Sequence, residues 1–215
     1  MPSKSNIKRT YYPLFLDITD RGCLVVGGGN VALRKVVTLL QFNARVAVVS
    51  PVISSKLLKL GEEGKIKCFL RTYSGKDLDN TALVFACTDN SAINNKIKKE
   101  AKMKNIPVNV ADNPDICDFI VPSIVKKEDI TIAISTSGKL PLLSKKLREK
   151  IEETVTDDYL EYLHIIGKFR KHLMETVKTG RKRNMIMKKI DQMEIEEVVT
   201  KGFSTIKKML GLTLP

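Results

Sequence analysis

The stretch Gly22–Phe42, GCLVVGGGNVALRKVVTLLQF, decides how the rest of the chain is read. Gly22–Val26 is a short apolar run rich in β-branched residues, GGGN follows, and VALRKVVTLLQF then carries apolar residues at helical spacing. That order predicts strand, tight turn, helix. Gly27, Gly29 and Ala32 fit G-x-G-x-x-A in the context that gives this short motif its meaning. The first glycine permits the turn, the second lets backbone approach a pyrophosphate, and the small third residue lets helix pack on strand. Amides at the helix N-terminus then face an anion. The residues alone leave open a second reading, a glycine-rich turn of an α/β fold with no ligand.

Working outward, ARVAVVS (44–50) predicts a second buried strand, and Ser54 can cap a helix that ends near Gly64. KIKCFLRTY predicts a third strand, more alternating and therefore nearer an edge. TALVFACT (81–88) predicts a fourth, leading into a helix capped by Asp89 or Asn90, and IPVNVA (106–111) a fifth. Strands alternating with helices at this spacing predict a doubly wound α/β domain with a parallel sheet. The pattern then changes. DFIVPSIVKK and DITIAISTSG have no helix between them and read as a hairpin with a charged KKED turn. After Pro141 the sequence is helical and amphipathic. Three parts follow: a Rossmann-type domain over 1–112, a hairpin region over 113–143 and a helical domain over 144–215.

The 215 residues, 43% hydrophobic, suffice for a sizeable core, and the net charge of +13 with a pI near 9.6 favours polyanionic partners. Aromatics make up only 6% and Trp is absent, which argues against base-stacking platforms and hence against nucleic acid. Cys23, Cys68, Cys87 and Cys117 are scattered without metal-ligand spacing and read as small hydrophobes in a reducing compartment. No secretory apolar region and no membrane-spanning run is evident, so a soluble cytoplasmic protein is expected, with no metal site and no membrane partner.

Several residues invite chemistry. The second strand ends at Ser50, where a dinucleotide site normally offers an acid to the ribose 2′-hydroxyl, and no Arg follows closely for a 2′-phosphate. Spacing therefore leaves NAD against NADP open. Thr88 and Asp89, at the end of the fourth strand, can meet a nicotinamide ribose, or Asp89 can simply cap the next helix. Asp112 ends the fifth strand on the same sheet edge as the glycine turn. It reads either as a turn aspartate before Asn113-Pro114 or as a base. Ser123, after Pro122 in the hairpin, can help hold a carboxylate but reads rather as a strand-end serine with no role. His164 and His172 lie two helical turns apart with no third ligand evident, so solvated or core roles are expected. Lys96, Lys98, Lys99, Lys102 and Lys104 read as a solvated face, whereas Lys126, Lys127, Lys139, Lys145, Lys146 and Arg148 flank the hairpin and can meet substrate carboxylates.

Taken together, CLVVGGGNVALRKVVTLL, VVSP, LVFACTDN, VNVADNPDICDFIVPSIV and IAISTSGKLPLLSKKLREKIE resemble the precorrin-2 dehydrogenase family, the dehydrogenase/ferrochelatase part of siroheme synthase. The likeness runs from Tyr12 to Glu153. It implies oxidation of precorrin-2 to sirohydrochlorin with NAD, ferrous iron insertion in some members, a multiply carboxylated tetrapyrrole substrate, and a homodimer built through the strand-containing region. It places Gly29, Asn30 and Val31, and Pro51 and Val52, at the cofactor, and it makes Asp112 the essential carboxylate. It implies chelation without a set of Cys or His ligands. A serine modified in some members falls on Thr136. Two rival readings remain at this stage: an NAD(H)-sensing regulator with a basic partner-binding tail, and a nucleic-acid binder with a Rossmann core.

Overall fold

The structure, a computed structural model, describes residues 10–111 and 113–211. The chain divides after Val121 into two compact units. In the first, β1 (Gly22–Val26), β2 (Arg45–Val49), β3 (Ile66–Phe69), β4 (Thr81–Ala86) and β5 (Val108–Val110) form one parallel sheet in the order β3-β2-β1-β4-β5. The expected edge position of the third strand is borne out. β1 lies at the centre, hydrogen-bonded to β2 on one side and β4 on the other, which explains its unbroken apolar run.

Strand period sorts the core. Cys23 and Val25 face a cluster with Ala32, Val36 and Leu39 of α1 (Asn30–Gln41) and Leu57 of α2 (Ser55–Glu62). Leu24 and Val26 face the opposite cluster, with Ile97 and Ala101 of α3 (Ser91–Met103). Burial pushes the Cys23 thiol up to about 11, so it serves as the small hydrophobe expected.

The sheet order puts the chain's reversal between β1 and β4. After β1 it winds outward through β2 and β3, then crosses back to β4 and β5 on the other side. The loop after β1 therefore stands at the topological switch point, where open α/β sheets take ligands.

The second unit begins with a hairpin of β6 (Ser123–Lys127) and β7 (Ile130–Ile134), antiparallel with Lys127 opposite Ile130. Glu128 makes the turn at φ 48°. α4 (Pro141–Thr154) packs on it, and Lys127 donates to the Glu152 and Val155 carbonyls at the helix's C-terminal end. The predicted helical tail forms three helices: α5 (Asp157–Thr176), α6 (Gly180–Asp191) and α7 (Ile195–Met209), the last interrupted at Gly202 (φ 66°). Phe169, Leu173, Ile190 and Ile206 are their core, each 1% exposed or less. His164 Nε2 lies 3.1 Å from Glu128, and His172 packs edge-on to Phe203.

The exit from β3 is fixed by charge. Arg71 donates two hydrogen bonds to Asp77, at 2.9 and 2.5 Å, and Asp77 accepts a third from Ser74 N at 2.8 Å. The guanidinium holds the Asp77 carboxyl below its usual range. A folded-state pKa below the unfolded one adds stability that is present above the unfolded value and lost as pH falls through the folded one. Asp77→Asn is therefore expected to destabilise the chain by about 1 kcal/mol near pH 7, since Arg71 is partly solvated. Denaturant titrations should show the difference vanish in acid; a difference that persists at low pH would mean the charge is not its source.

Candidate functional site

Glycine is required at two consecutive positions of the turn after β1. Gly27 has φ +128°, and a Cβ there would meet the Cys87 carbonyl oxygen at 2.4 Å, just past the end of β4. A Cβ on Gly28 would lie 1.9 Å from the Val52 carbonyl oxygen and 2.8 Å from Ile53 Cα, in the loop after β2. Gly29 differs, since a Cβ there would meet nothing within 4 Å and its φ of −92° suits any residue. The turn is thus packed on its inner side and open at Gly29.

That opening lies at the start of α1. Gly29 is the N-cap, no side chain caps the helix and its first turn carries no acid, so its leading amides and positive end are left for a ligand. Asn30 is exposed, Val31 is half-buried and Ala32 is fully buried, as expected for the small third residue of the motif. A shielded turn, an open second glycine and an uncompensated helix start fit a pyrophosphate-bearing dinucleotide.

The loops around the turn are tied to it by backbone. Gly27 N donates to Val49 O, Cys87 N to Val26 O, and Ser54 N to Gly28 O, at 2.9, 2.7 and 2.9 Å. Ser50 is buried, while Pro51 and Val52 project into solvent. Ser54 precedes α2, but its hydroxyl makes no cap bond; it is buried without a partner.

At the end of β4, the helix cap is Asn90, whose Oδ1 accepts from Ala92 N and Ile93 N. Asp89 is exposed and makes no side-chain bond among the described residues. Thr88 has internal work: its hydroxyl donates to buried Asn94 at 2.7 Å and accepts from Asn90 N, while Asn94 Nδ2 returns a bond to Thr88 O.

Asp112 lies outside the described residues. On either side of it, Ala111 N donates to Ala86 O and Asn113 N to Val110 O. Sequence reasoning missed how the segment after it is held. Cys117 Sγ accepts from Val110 N at 3.1 Å and lies 3.3 Å from the Val110 and Asn113 carbonyls. Asp118 exchanges two bonds with the Val108 backbone and pairs with Lys98, and Asn109 donates to Phe119 O. This segment covers the edge of β5 in place of a sixth strand. Burial of Cys117 was legible; its hydrogen bonding was not, because Val110 and Asn113 reach it only once the loop is folded.

Among the hairpin cations, Lys127 is occupied at the end of α4 and Arg148 pairs with Glu152. Lys139 and Lys146 have no side-chain partner among the described residues.

These features define a Rossmann-type dinucleotide-binding unit. Residues 14–123 match the family model described as putative NAD(P)-binding, and the chain belongs to that family. It is 38% identical over 190 residues to a siroheme synthase of Methylobacillus flagellatus, covering 88% of this chain and 41% of that protein. It is 39% identical over 196 residues to one of Nitrosospira multiformis, covering 89% and 42%. A solved structure titled SirC, precorrin-2 dehydrogenase shares the fold, with a TM-score of 0.75 at 23% identity over 94% of this chain and 99% of that one. The chain spans about two-fifths of the length of these curated relatives.

Gly28 and Gly29 separate packing from binding. Gly28→Ala is expected to cost about 3 kcal/mol because backbone must move. Gly29→Ala should stay within about 0.5 kcal/mol of the parent yet lose most dinucleotide affinity, because its methyl fills the open side. Thermal melts and NADH fluorescence titration check both; a Gly29→Ala protein that binds NADH like the parent would remove the turn from the site.

Proposed function

We propose that this chain oxidises precorrin-2 to sirohydrochlorin using NAD. The observation that carries the reading is the open glycine turn at the switch point of a chain that matches siroheme synthases over nearly nine-tenths of its length. The substrate reading rests on that likeness and on a net charge of +13, suited to a polycarboxylated macrocycle.

The oxidation removes a hydride from one carbon of the macrocycle and a proton from another position. Nicotinamide, when bound, accepts the hydride. Gly27 and Gly28 shape the turn, the α1 amides meet the pyrophosphate, and exposed Asp89 is available to the ribose. Asp112, two residues past β5 in sequence, is assigned the proton. An aspartate has an ordinary pKa of about 3.9, so this role needs a surrounding that raises it. Lys139 and Lys146 are the hairpin cations left to meet substrate carboxylates.

The reading extends to assembly. A two-stranded hairpin is marginal alone, and Leu140, Leu142, Leu143 and Leu147 beside it are 38–59% exposed. A homodimer through residues 113–143, between a Rossmann domain over 1–112 and a helical domain over 144–215, would cover that surface. A reducing, cytoplasmic setting suits the four free cysteines, none of them in a disulfide.

The test mixes purified protein, precorrin-2 and NAD, follows sirohydrochlorin by absorbance, and then adds ferrous iron to ask whether siroheme forms. Asp112→Asn should fold and bind NADH yet lose dehydrogenation by about a hundred-fold or more. Full activity in that variant would sink the assignment of the base, and no sirohydrochlorin from the parent would sink the function.

A further inference from the structure

We infer that the solvent face of α6 docks an acidic amphipathic helix of a partner protein. The partner seats one apolar side chain in the groove between α5 and α6 and lays its carboxylates on the cations beside it. This surface serves neither dinucleotide binding nor the oxidation proposed above.

Within the second unit the basic excess is concentrated. Residues 168–189 carry nine Lys and Arg against one Glu, where the whole chain carries 37 against 24 Asp and Glu. Ile186 and Ile190 fix α6 to the core around Phe169, which turns its other side to solvent. On that side Met185 is 57% exposed, and Arg181, Lys182, Lys188 and Lys189 are its neighbours three and four residues along the helix. None of these four cations is ion-paired among the described residues, and the single acid of α6, Asp191, stands at its last position. Other helices match their lysines four residues on: Lys96 with Glu100, Lys145 with Glu149, and Lys201 with Glu197 in reverse order. The helix's own stability therefore does not account for the α6 pattern.

Beside the cations lies a groove of about 330 Å³, lined by Tyr162 of α5 and by Asn184, Met187, Lys188, Ile190 and Asp191 of α6. Its floor is apolar, since Tyr162 and Met187 pack on the Phe169 core and Ile190 is 1% exposed. Lys188 belongs to both groove and cluster. Arg181 and Lys188, like Lys182 and Lys189, stand two turns apart, roughly 10 Å along the axis, which is the repeat of carboxylates on one side of a facing helix. An apolar slot edged by unpaired cations fits a ligand that brings an apolar anchor and acids together. A lipid surface would find only Met185 to insert, and a nucleic-acid backbone has no anchor for the slot.

The probe is a fluorescein-labelled helical peptide with two pairs of Glu seven residues apart and one Leu between them. It is titrated against the full chain by anisotropy. The peptide is expected to bind, and to lose about five-fold or more when its Leu becomes Ala. Arg181→Glu with Lys188→Glu should weaken it about ten-fold or more, while the same charge change at exposed Lys99 and Lys102 of α3 should stay within about two-fold. Circular dichroism and NADH titration, unchanged from the parent, show that both double variants are folded. No binding, equal binding of the Leu and Ala peptides, or equal loss from the α3 and α6 variants would overturn the inference. So would displacement by phosphatidylglycerol vesicles or a DNA duplex more readily than by unlabelled peptide.

Discussion

The close approach of backbone to backbone around the glycine turn is the constraint on which the rest of the first unit depends. Without side chains at Gly27 and Gly28, the carbonyls of Cys87 and Val52 can come within contact of the turn. The ends of β1, β2 and β4 are thereby drawn together and cross-bonded through Val49, Val26 and Gly28. One methyl at either position would push the loops after β2 and β4 outward. The open side at Gly29 exists because the inner side is filled, so the space for a ligand and the packing of the sheet edge have a single cause.

Much of this was legible in sequence because it is periodic. Runs such as LVV and VAVV alternate between two faces of a central sheet, and both must be apolar when both are covered. The alternating KIKCF pattern located an edge strand for the same reason. What periodicity cannot carry is contact between residues distant in the chain. The glycine fingerprint marks Gly27 and Gly29, but the most constrained glycine is Gly28, whose obstacle is residue 52. Asp89 and Asn90 are equivalent caps in sequence. The folded turn chose Asn90 and left Asp89 exposed, while Thr88 was drawn to Asn94, one and a half helical turns along. Ser54 stands at a helix start like an ordinary cap, yet its hydroxyl makes no such bond.

The second unit follows a different logic. Its three C-terminal helices share a core around Phe169, whereas the hairpin and α4 cover each other only in part, and Val125 and Ser144 are their well-buried members. Polar ties compensate. Lys127 satisfies carbonyls at the end of α4, and Thr136 Oγ1, 3.2 Å from Ser144 Oγ, accepts from Leu140 N at the helix start. Both ends of α4 are thus fixed by residues of the hairpin segment, so the position of the helix depends on hydrogen bonds more than on apolar area.

Charge distribution bears on what the basic balance is for. A partner-binding tail would concentrate the excess at one end, yet the chain carries 18 Lys and Arg against 11 Asp and Glu through Val121, and 19 against 13 after it. Both units are therefore basic to a similar degree. A spread field of one sign raises the local concentration of any small polyanion and says little about a single macromolecular partner. Where the field becomes selective is local: four cations share one face of α6, and at α1 and α2, two successive helix starts lack an acidic residue, and both adjoin the same glycine turn. Long-range charge gathers anions to this chain, but the helix starts and the bare backbone of the turn decide where a small one can settle.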